Sequence, residues 1–196
     1  SLLDSIEQEA LRDRVPIIRR ETAALLRTLV AALRPSRILE IGTAVGYSSL
    51  LMCRVMPEDC RITTIEKYEK RIPEALEHFK KAGEEGRITL LAGDADDLLA
   101  GLKGQLFDLV FMDAAKGQYL HWLPMILELM PDGGVLISDN VLQDGDIVES
   151  RFAVERRNRT IHSRMREYLH TLKHMEEFET AAIHIGDGVT ISTRIK

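Results

Sequence analysis

Two acidic motifs each close an apolar run in this sequence: Phe-Met-Asp113 and Ile-Ser-Asp139-Asn140. Such runs predict buried strands, and in an open parallel α/β sheet the ligand crevice lies outside the carboxyl ends of the strands. Two carboxylates and an amide oxygen are donors that a hard divalent cation such as Mg²⁺ prefers. Asp113, Asp139 and Asn140 are therefore candidate metal ligands. Lys116 follows Asp113 closely enough to act as a base there, although a solvated lysine at a helix start remains the alternative interpretation.

A turn with two glycines joins a predicted strand (37–41) to a predicted helix (47–56). Gly42 allows the backbone to turn tightly, and Gly46 allows it to approach a ligand because it has no Cβ. The free N–H groups of the following helix can bind an anion. The spacing is not that of a dinucleotide-binding G-x-G-x-x-G motif, so a purely structural turn remains possible.

The next two predicted strands, 61–65 and 87–91, also end in acidic residues. Glu66 stands where a carboxylate can bind both hydroxyls of a ribose. Asp94 and Ala95 can hold an adenine, although Asp94 can equally cap the helix that follows. These strand ends outline an adenosine site, and they leave open whether the cofactor is a nicotinamide dinucleotide or S-adenosylmethionine.

The elements that position these residues alternate between strand and helix after residue 35, which predicts βαβ units and a mostly parallel sheet. Residues 1–34 are predicted to form N-terminal helices, broken near Val15-Pro16. Residues 180–185 and 189–195 are predicted to form a hairpin around Gly186-Asp187-Gly188. The sequence thus predicts one α/β domain over 1–196, a doubly wound sheet that ends in an antiparallel hairpin.

The bulk properties are those of a soluble globular protein: 196 residues, net charge −5, 45% apolar and 29% charged residues. The charge gives no global attraction to nucleic acid or membrane. Two cysteines make no disulfide framework, and no signal peptide or bilayer-spanning stretch is apparent, so a reducing cytoplasm is expected. Residues 151–166 are rich in arginine, and a solvated helix face is the usual outcome of such a run.

Three motifs together resemble the cation-dependent O-methyltransferases of the catechol and caffeoyl-CoA type. They are Leu-Glu-Ile-Gly-Thr-Ala-Val-Gly-Tyr-Ser (39–48), Phe-Asp-Leu-Val-Phe-Met-Asp-Ala-Ala-Lys (107–116) and Ile-Ser-Asp-Asn-Val-Leu (137–142). The resemblance implies the seven-stranded, Rossmann-like methyltransferase fold, a homodimer, and S-adenosylmethionine and Mg²⁺ as cofactors. It implies metal ligation by Asp113, Asp139 and Asn140 and catalysis by Lys116 with Asp113. The cofactor contacts that it implies are Ile18, Glu40, Gly42, Ser48, Glu66, Asp94, Ala95 and Asp113.

Within that family the sequence looks closest to bacterial tRNA 5-hydroxyuridine methyltransferases, through residues 113–119, the arginine-rich segment 155–160 and the hairpin 186–192. This narrower resemblance implies tRNA as the partner, with Arg156, Arg157 and Arg159 on its phosphates. Tyr119 and Trp122 are possible stacking partners for a base. Two alternatives remain: methylation of a catechol-like small molecule, and a nicotinamide-dependent oxidoreductase.

Overall fold

The computed structural model describes residues 1–142 and 159–196 of the chain. The elements of these two ranges are the helices α1 (Leu2–Arg12), α2 (Arg20–Leu33), α3 (Tyr47–Cys53), α4 (Ile72–Ala82), α5 (Ala95–Gly101), α6 (Tyr119–Glu128) and α7 (Arg159–His174), and the strands β1 (Arg37–Ile41), β2 (Arg61–Glu66), β3 (Ile88–Ala92), β4 (Leu109–Met112), β5 (Val135–Asp139), β6 (Phe178–Ile183) and β7 (Val189–Arg194). A short 3-10 helix, Lys116–Gln118, precedes α6.

The seven strands form one sheet in the order β3-β2-β1-β4-β5-β7-β6. Strands β1 to β5 pair in parallel, whereas β7 is antiparallel to both β5 and β6. The predicted seven-stranded, mostly parallel sheet with a C-terminal antiparallel hairpin is therefore confirmed. Between β1 and β4 the chain order reverses direction across the sheet, and at such a point the strand ends diverge to leave a crevice.

Three predicted helices end earlier in the structure than the sequence pattern indicates. Helix α6, predicted over 118–130, ends at Glu128. Helix α3 stops at Cys53, three residues before the predicted end, because the chain turns ahead of Pro57, which disfavours helix at the preceding residue. Helix α7, which the sequence pattern predicts over 160–178, stops at His174, because Phe178 begins β6 and pairs with Arg194. None of these differences changes the elements around the strand ends.

The core has two layers, one on each face of the sheet. Ile38 and Phe111 pack with the layer that includes α1 to α4, whereas Leu39 and Val110 pack with the layer that includes α5 to α7. The alternation follows from the two-residue period of a strand, and it buries both faces of β1 and β4. With both faces covered, only the strand ends are left to contact a ligand.

The two cysteines lie in this core as free, buried thiols. Burial raises the pKa of Cys53 to about 12 and that of Cys60 to about 11. They are packing residues of the core. In the two described ranges, no helix is long and apolar enough to cross a membrane.

Candidate active site

A cavity of about 770 Å³ opens at the carboxyl ends of strands β1 to β5. This volume is in the range of pockets that hold small molecules and cofactors. Ten predicted site residues line it: Ile18, Gly42, Ser48, Glu66, Asp94, Ala95, Asp113, Lys116, Asp139 and Asn140. The structure thus brings the residues predicted to bind metal and most of those predicted to bind cofactor into one cavity.

The three candidate metal ligands lie at the ends of two adjacent strands. Met112 pairs with Ser138 in the parallel register of β4 and β5, so Asp113 and Asp139 leave the sheet side by side. The Asn140 amide nitrogen Nδ2 donates to Asp113 Oδ1 at 2.8 Å, and the Asn140 backbone N–H donates to Asp139 Oδ1 at 2.8 Å. Asn140 adopts a positive φ of 61°, a conformation that asparagine tolerates better than most residues.

The two carboxylates repel each other inside the protein. Burial, and then the charges of Asp139 and Glu40, raise the pKa of Asp113 to about 7. Burial also raises the pKa of Asp139 to about 6, with a further contribution from Asp187. Two adjacent buried carboxylates with raised pKa values are typical of a site that lacks a strong counter-charge in the protein.

Lys116 lies in the 3-10 helix after β4 and lines the same cavity. Its positive charge opposes the rise in the pKa of both Asp113 and Asp139, so it lies within electrostatic reach of each. Within the described residues, the side chain of Lys116 makes no hydrogen bond or ion pair, which leaves its amine available to a ligand. The neighbouring Gly117 carbonyl accepts a hydrogen bond from Arg164 of α7 at 3.2 Å.

The two glycines of the turn after β1 have different roles. Gly42 has a φ of 106°, and a Cβ there would lie 2.1 Å from the carbonyl oxygen of Asp113, so the turn needs glycine to pass β4. Gly46 was expected to face the ligand, but it is not part of the cavity lining. A Cβ at Gly46 would instead meet the Phe79 ring at 2.5 Å. This expectation is therefore wrong, because the close approach is to a packed aromatic ring.

Glu40 lies behind the cavity wall and is fully buried. Its carboxylate accepts hydrogen bonds from the hydroxyls of Ser48 (2.5 Å), Thr64 (2.6 Å) and Ser49. Burial raises the pKa of Glu40, and the three hydroxyls oppose that rise. Of these residues, Ser48 lines the cavity and Glu40 does not, so Glu40 fixes Ser48 from behind.

Glu66 and Asp94 mark the far end of the cavity. Glu66 accepts one backbone N–H on each oxygen, from Ala44 and from Tyr68, both at 2.7 Å. Asp94 caps α5 by accepting from the Asp96 backbone N–H, and its other oxygen is paired with Lys67. Asp94 therefore has the helix-capping role that the sequence left open, and it forms an ion pair as well. The residue still lines the cavity.

The predicted aromatic stacking partners are both engaged within the protein. Tyr119 is fully buried. Its hydroxyl lies 3.2 Å from the carbonyl oxygens of Met112 and Asp139 and accepts from the Ala114 N–H at 3.3 Å. Stacking of a base on Tyr119 is therefore excluded, and the residue instead ties the ends of β4 and β5 together. Trp122 lines the cavity while its indole N–H donates to Asp96.

The predicted tRNA-contacting arginines fall largely outside the described part of the chain. Arg156 and Arg157 lie in the range 143–158, and Arg159 is the first residue of α7, whose side chain at that position is not described. Among the cavity-lining residues that were not predicted from the sequence are Arg19, before α2, and Asp187, in the hairpin turn. No local pattern could have found them, because they meet only in the folded chain.

The strand order, the antiparallel β7 and the crevice at the ends of β1 to β5 define a methyltransferase of the S-adenosylmethionine-dependent α/β class. Residues 2–195 match the family model described as O-methyltransferase, so the chain belongs to that family. A caffeoyl-CoA O-methyltransferase from Populus kitakamiensis is 31% identical over 175 residues, covering 87% of this chain and 74% of the relative. A catechol O-methyltransferase from Niastella koreensis is 32% identical over 127 residues, covering 63% of this chain and 58% of the relative.

Solved structures agree with this family assignment. The O-methyltransferase TomG from Streptomyces achromogenes, in complex with S-adenosylmethionine, has a TM-score of 0.88 at 26% identity, covering 100% of this chain and 90% of that one. A candidate caffeoyl-CoA O-methyltransferase from Staphylococcus aureus has a TM-score of 0.92 at 29% identity, covering 99% and 92%. The chain is therefore an S-adenosylmethionine-dependent O-methyltransferase of the catechol and caffeoyl-CoA type, which decides against the nicotinamide-dependent alternative.

Proposed function

We propose that this enzyme requires a divalent cation, Mg²⁺ in the first instance, and methylates an acceptor that carries two adjacent oxygens. The observation that carries this proposal is the set of Asp113, Asp139 and Asn140 at neighbouring strand ends. In the described residues, no three His, Cys, Asp or Glu side chains are grouped so that they could hold a metal ion by themselves, and the proposed set therefore includes the Asn140 amide. The donors are two carboxylates and one amide, an all-oxygen set that suits a hard cation and leaves positions for acceptor oxygens.

The electrostatics of these residues fit a cation. Two buried carboxylates raise each other's free energy when both are ionised, and a divalent ion removes that cost. When bound, Mg²⁺ would lower the pKa of an acceptor hydroxyl. Lys116 then accepts the hydroxyl proton or, as an ammonium, stabilises the oxyanion that attacks the methyl group. Asp113 is proposed both as a metal ligand and as a contact of the methyl donor, because its backbone carbonyl lies beside the turn that Gly42 forms.

The methyl donor is proposed to lie along the strand ends of β1 to β3. The residues proposed to hold it are Ile18, Gly42, Ser48, Glu66, Asp94, Ala95 and Asp113, with Glu40 acting through Ser48. Glu66 can still receive ribose hydroxyls, because each of its oxygens accepts only one backbone N–H and has a second lone pair. Transfer of the methyl group breaks the S–CH₃ bond, forms the O–CH₃ bond and leaves S-adenosylhomocysteine.

For the acceptor we propose 5-hydroxyuridine in the anticodon loop of tRNA, converted to 5-methoxyuridine. Its 5-hydroxyl and 4-carbonyl are adjacent oxygens, as are the two hydroxyls of a catechol, so one cation site serves both. The arginine-rich sequence supports tRNA, with Arg156, Arg157 and Arg159 on backbone phosphates. A catechol-like small molecule is the second candidate, supported by the catechol and caffeoyl-CoA relatives. We further propose that the enzyme acts as a homodimer.

The first test measures methyl transfer from labelled S-adenosylmethionine, with and without Mg²⁺, to tRNA bearing 5-hydroxyuridine and to a simple catechol. Metal dependence is supported if Asp139→Asn abolishes labelling, while Asp132→Asn, a control at a side chain that is 78% exposed, retains it. Full activity in a chelator would refute the requirement for a cation.

The second test separates the two acceptor classes. Arg156→Glu and Arg157→Glu should each weaken tRNA labelling and spare catechol labelling, because phosphate contacts add affinity only for a nucleic acid. Arg27→Glu, at an exposed arginine on α2, is the matched control. If only the catechol is labelled, the enzyme acts on small molecules and the tRNA proposal fails.

Light scattering of the purified protein tests the proposed homodimer.

A further inference from the structure

An ion pair joins two segments, far apart in sequence, at one side of the cavity. Arg19 Nη2 lies 2.6 Å from Asp187 Oδ1, with the arginine side chain 50% exposed and the aspartate 16% exposed. Arg19 ends the connector between α1 and α2, and Asp187 lies in the turn between β6 and β7. Both residues line the cavity together with Asp139 and Asn140.

The turn that carries Asp187 packs directly against the residues that follow the candidate metal ligands. The Leu142 N–H donates to the Asp187 carbonyl at 2.8 Å, and the Val141 N–H donates to the Gly188 carbonyl at 3.0 Å. Gly188 has a φ of 82°, and a Cβ there would lie 2.2 Å from Leu142 Cγ. The turn and the Asp139-Asn140 loop therefore form one packed unit.

The other side of the same turn packs against the start of α2. Gly186 has a φ of 56°, and a Cβ there would lie 2.6 Å from Thr22 Oγ1 and 3.7 Å from the Arg19 side chain. Pro16, Ile17 and Ile18, which precede Arg19, form part of the cavity wall. The connector thus meets the sheet through this turn, and the ion pair spans the contact.

We propose that Arg19 and Asp187 are positioning residues for the methyl acceptor. The pair holds the 16–18 wall at a fixed distance from Asp139 and Asn140, and so defines the slot in which the acceptor lies. This inference rests on the proposed function, in that the acceptor is placed beside Asp139 and Asn140. The residues proposed to bind the adenosine end are Glu66, the last residue of β2, and Asp94, which follows β3, on the opposite half of the sheet. Loss of the pair should therefore affect the acceptor more than the methyl donor, of whose proposed contacts only Ile18 lies on this wall.

The chain contains a matched control for this ion pair. Arg20, the next residue, pairs with Glu7 at 2.7 Å, with side-chain exposures of 79% and 13%, and neither residue lines the cavity. The variants to compare are Arg19→Gln, Asp187→Asn, Arg20→Gln and the charge-reversed double variant Arg19→Asp/Asp187→Arg. The readouts are the acceptor KM and kcat in the Mg²⁺ reaction with the acceptor that the first test labels, tRNA bearing 5-hydroxyuridine or catechol, and the Kd for S-adenosylhomocysteine.

We expect Arg19→Gln and Asp187→Asn to raise the acceptor KM by roughly tenfold, since coupled neighbouring pairs change binding by such factors. The Kd for S-adenosylhomocysteine should change by less than about twofold, and the double variant should recover part of the loss because the opposite charges are restored. Arg20→Gln should behave as wild type. Equal changes in acceptor KM and cofactor Kd, or no difference between Arg19→Gln and Arg20→Gln, would overturn the proposal.

Arg19→Lys keeps the test decisive if Asp187→Asn does not fold. Lysine retains the charge but reaches the aspartate differently, so its acceptor KM should lie between those of wild type and Arg19→Gln. A value for Arg19→Lys equal to that of Arg19→Gln, with both above wild type, would count against the charge pair. Activity of the wild type without Mg²⁺ would contradict the proposed cation requirement but not the role of the ion pair. The acceptor KM values of the variants could still be measured and ranked in that case.

Discussion

The buried carboxylate of Glu40 gives the sharpest prediction, because two adjacent serines bind its two oxygens. Ser48 donates to Oε1 at 2.5 Å and lines the cavity, whereas Ser49 donates to Oε2 and is buried away from it. Replacing either serine by alanine removes one hydroxyl and one hydrogen bond to a carboxylate. Only one of the two replacements also changes the cavity surface.

The magnitude follows from the type of hydrogen bond. A hydrogen bond to a charged group contributes about 1.5–3 kcal/mol, so Ser48→Ala and Ser49→Ala should each lower the free energy of unfolding by about 2 kcal/mol. In a chain of this length, such a loss lowers Tm by roughly 4–8 °C. Ser48→Ala should in addition weaken binding of S-adenosylhomocysteine by roughly fivefold, about 1 kcal/mol, the contribution of one neutral hydrogen bond.

Two measurements check this reasoning: thermal unfolding of the three proteins without ligand, and calorimetric titration with S-adenosylhomocysteine. The expected pattern is similar Tm values for the two variants and a weaker cofactor affinity for Ser48→Ala alone. Equal affinity loss in both variants would refute the separation between a cavity-facing and a supporting serine. Wild-type Tm in both would refute the structural role of the Glu40 hydrogen bonds.

Three further predictions concern the strand ends. The raised pKa values of Asp113 (about 7) and Asp139 (about 6) make the folded state bind more protons than the unfolded chain. Without a cation, the unfolding free energy should therefore fall as pH rises from about 4 to 7, and Mg²⁺ titrations in buffers of different ionisation enthalpy should detect proton release. Lys116→Ala should lower kcat by about 10²-fold or more with cofactor Kd unchanged by calorimetry. Gly42→Ala should destabilise by at least ~2 kcal/mol in urea unfolding, whereas Gly86→Ala, with open space around it, should not.

The sequence predicts this part of the sheet well because β4 and β5 are short apolar runs that lead into polar residues. The bounds of β1 match the prediction, and the ends of β4 and β5 bring Asp113 beside Asp139 as expected. Parallel register alone places these residues at one edge, so no long-range information is needed. The positions of the candidate metal ligands are predictable for this reason.

The features that sequence analysis missed depend on tertiary contacts. Tyr119 is an aromatic residue of the kind that stacks on a base, yet its hydroxyl joins two strand ends inside the core. Gly46 has the spacing of a ligand-binding glycine, but its missing side chain makes room for Phe79. Arg19 and Asp187 stand near opposite ends of the chain and meet only after folding. A local pattern can show that such residues are unusual, but it cannot show which residue each of them contacts.

The narrow gap between Gly42 and the carbonyl of Asp113 has a thermodynamic consequence. The turn proposed to hold the methyl donor and the strand end proposed to hold the cation touch through backbone atoms, with no room for even a methyl group between them. A displacement of one is therefore transmitted to the other without a flexible side chain to absorb it. Two ligands that bind on either side of such a contact share a coupling free energy, and by linkage each must change the affinity of the other by the same factor. A donor and a cation bound as proposed would in this sense be mutual effectors across a single backbone contact.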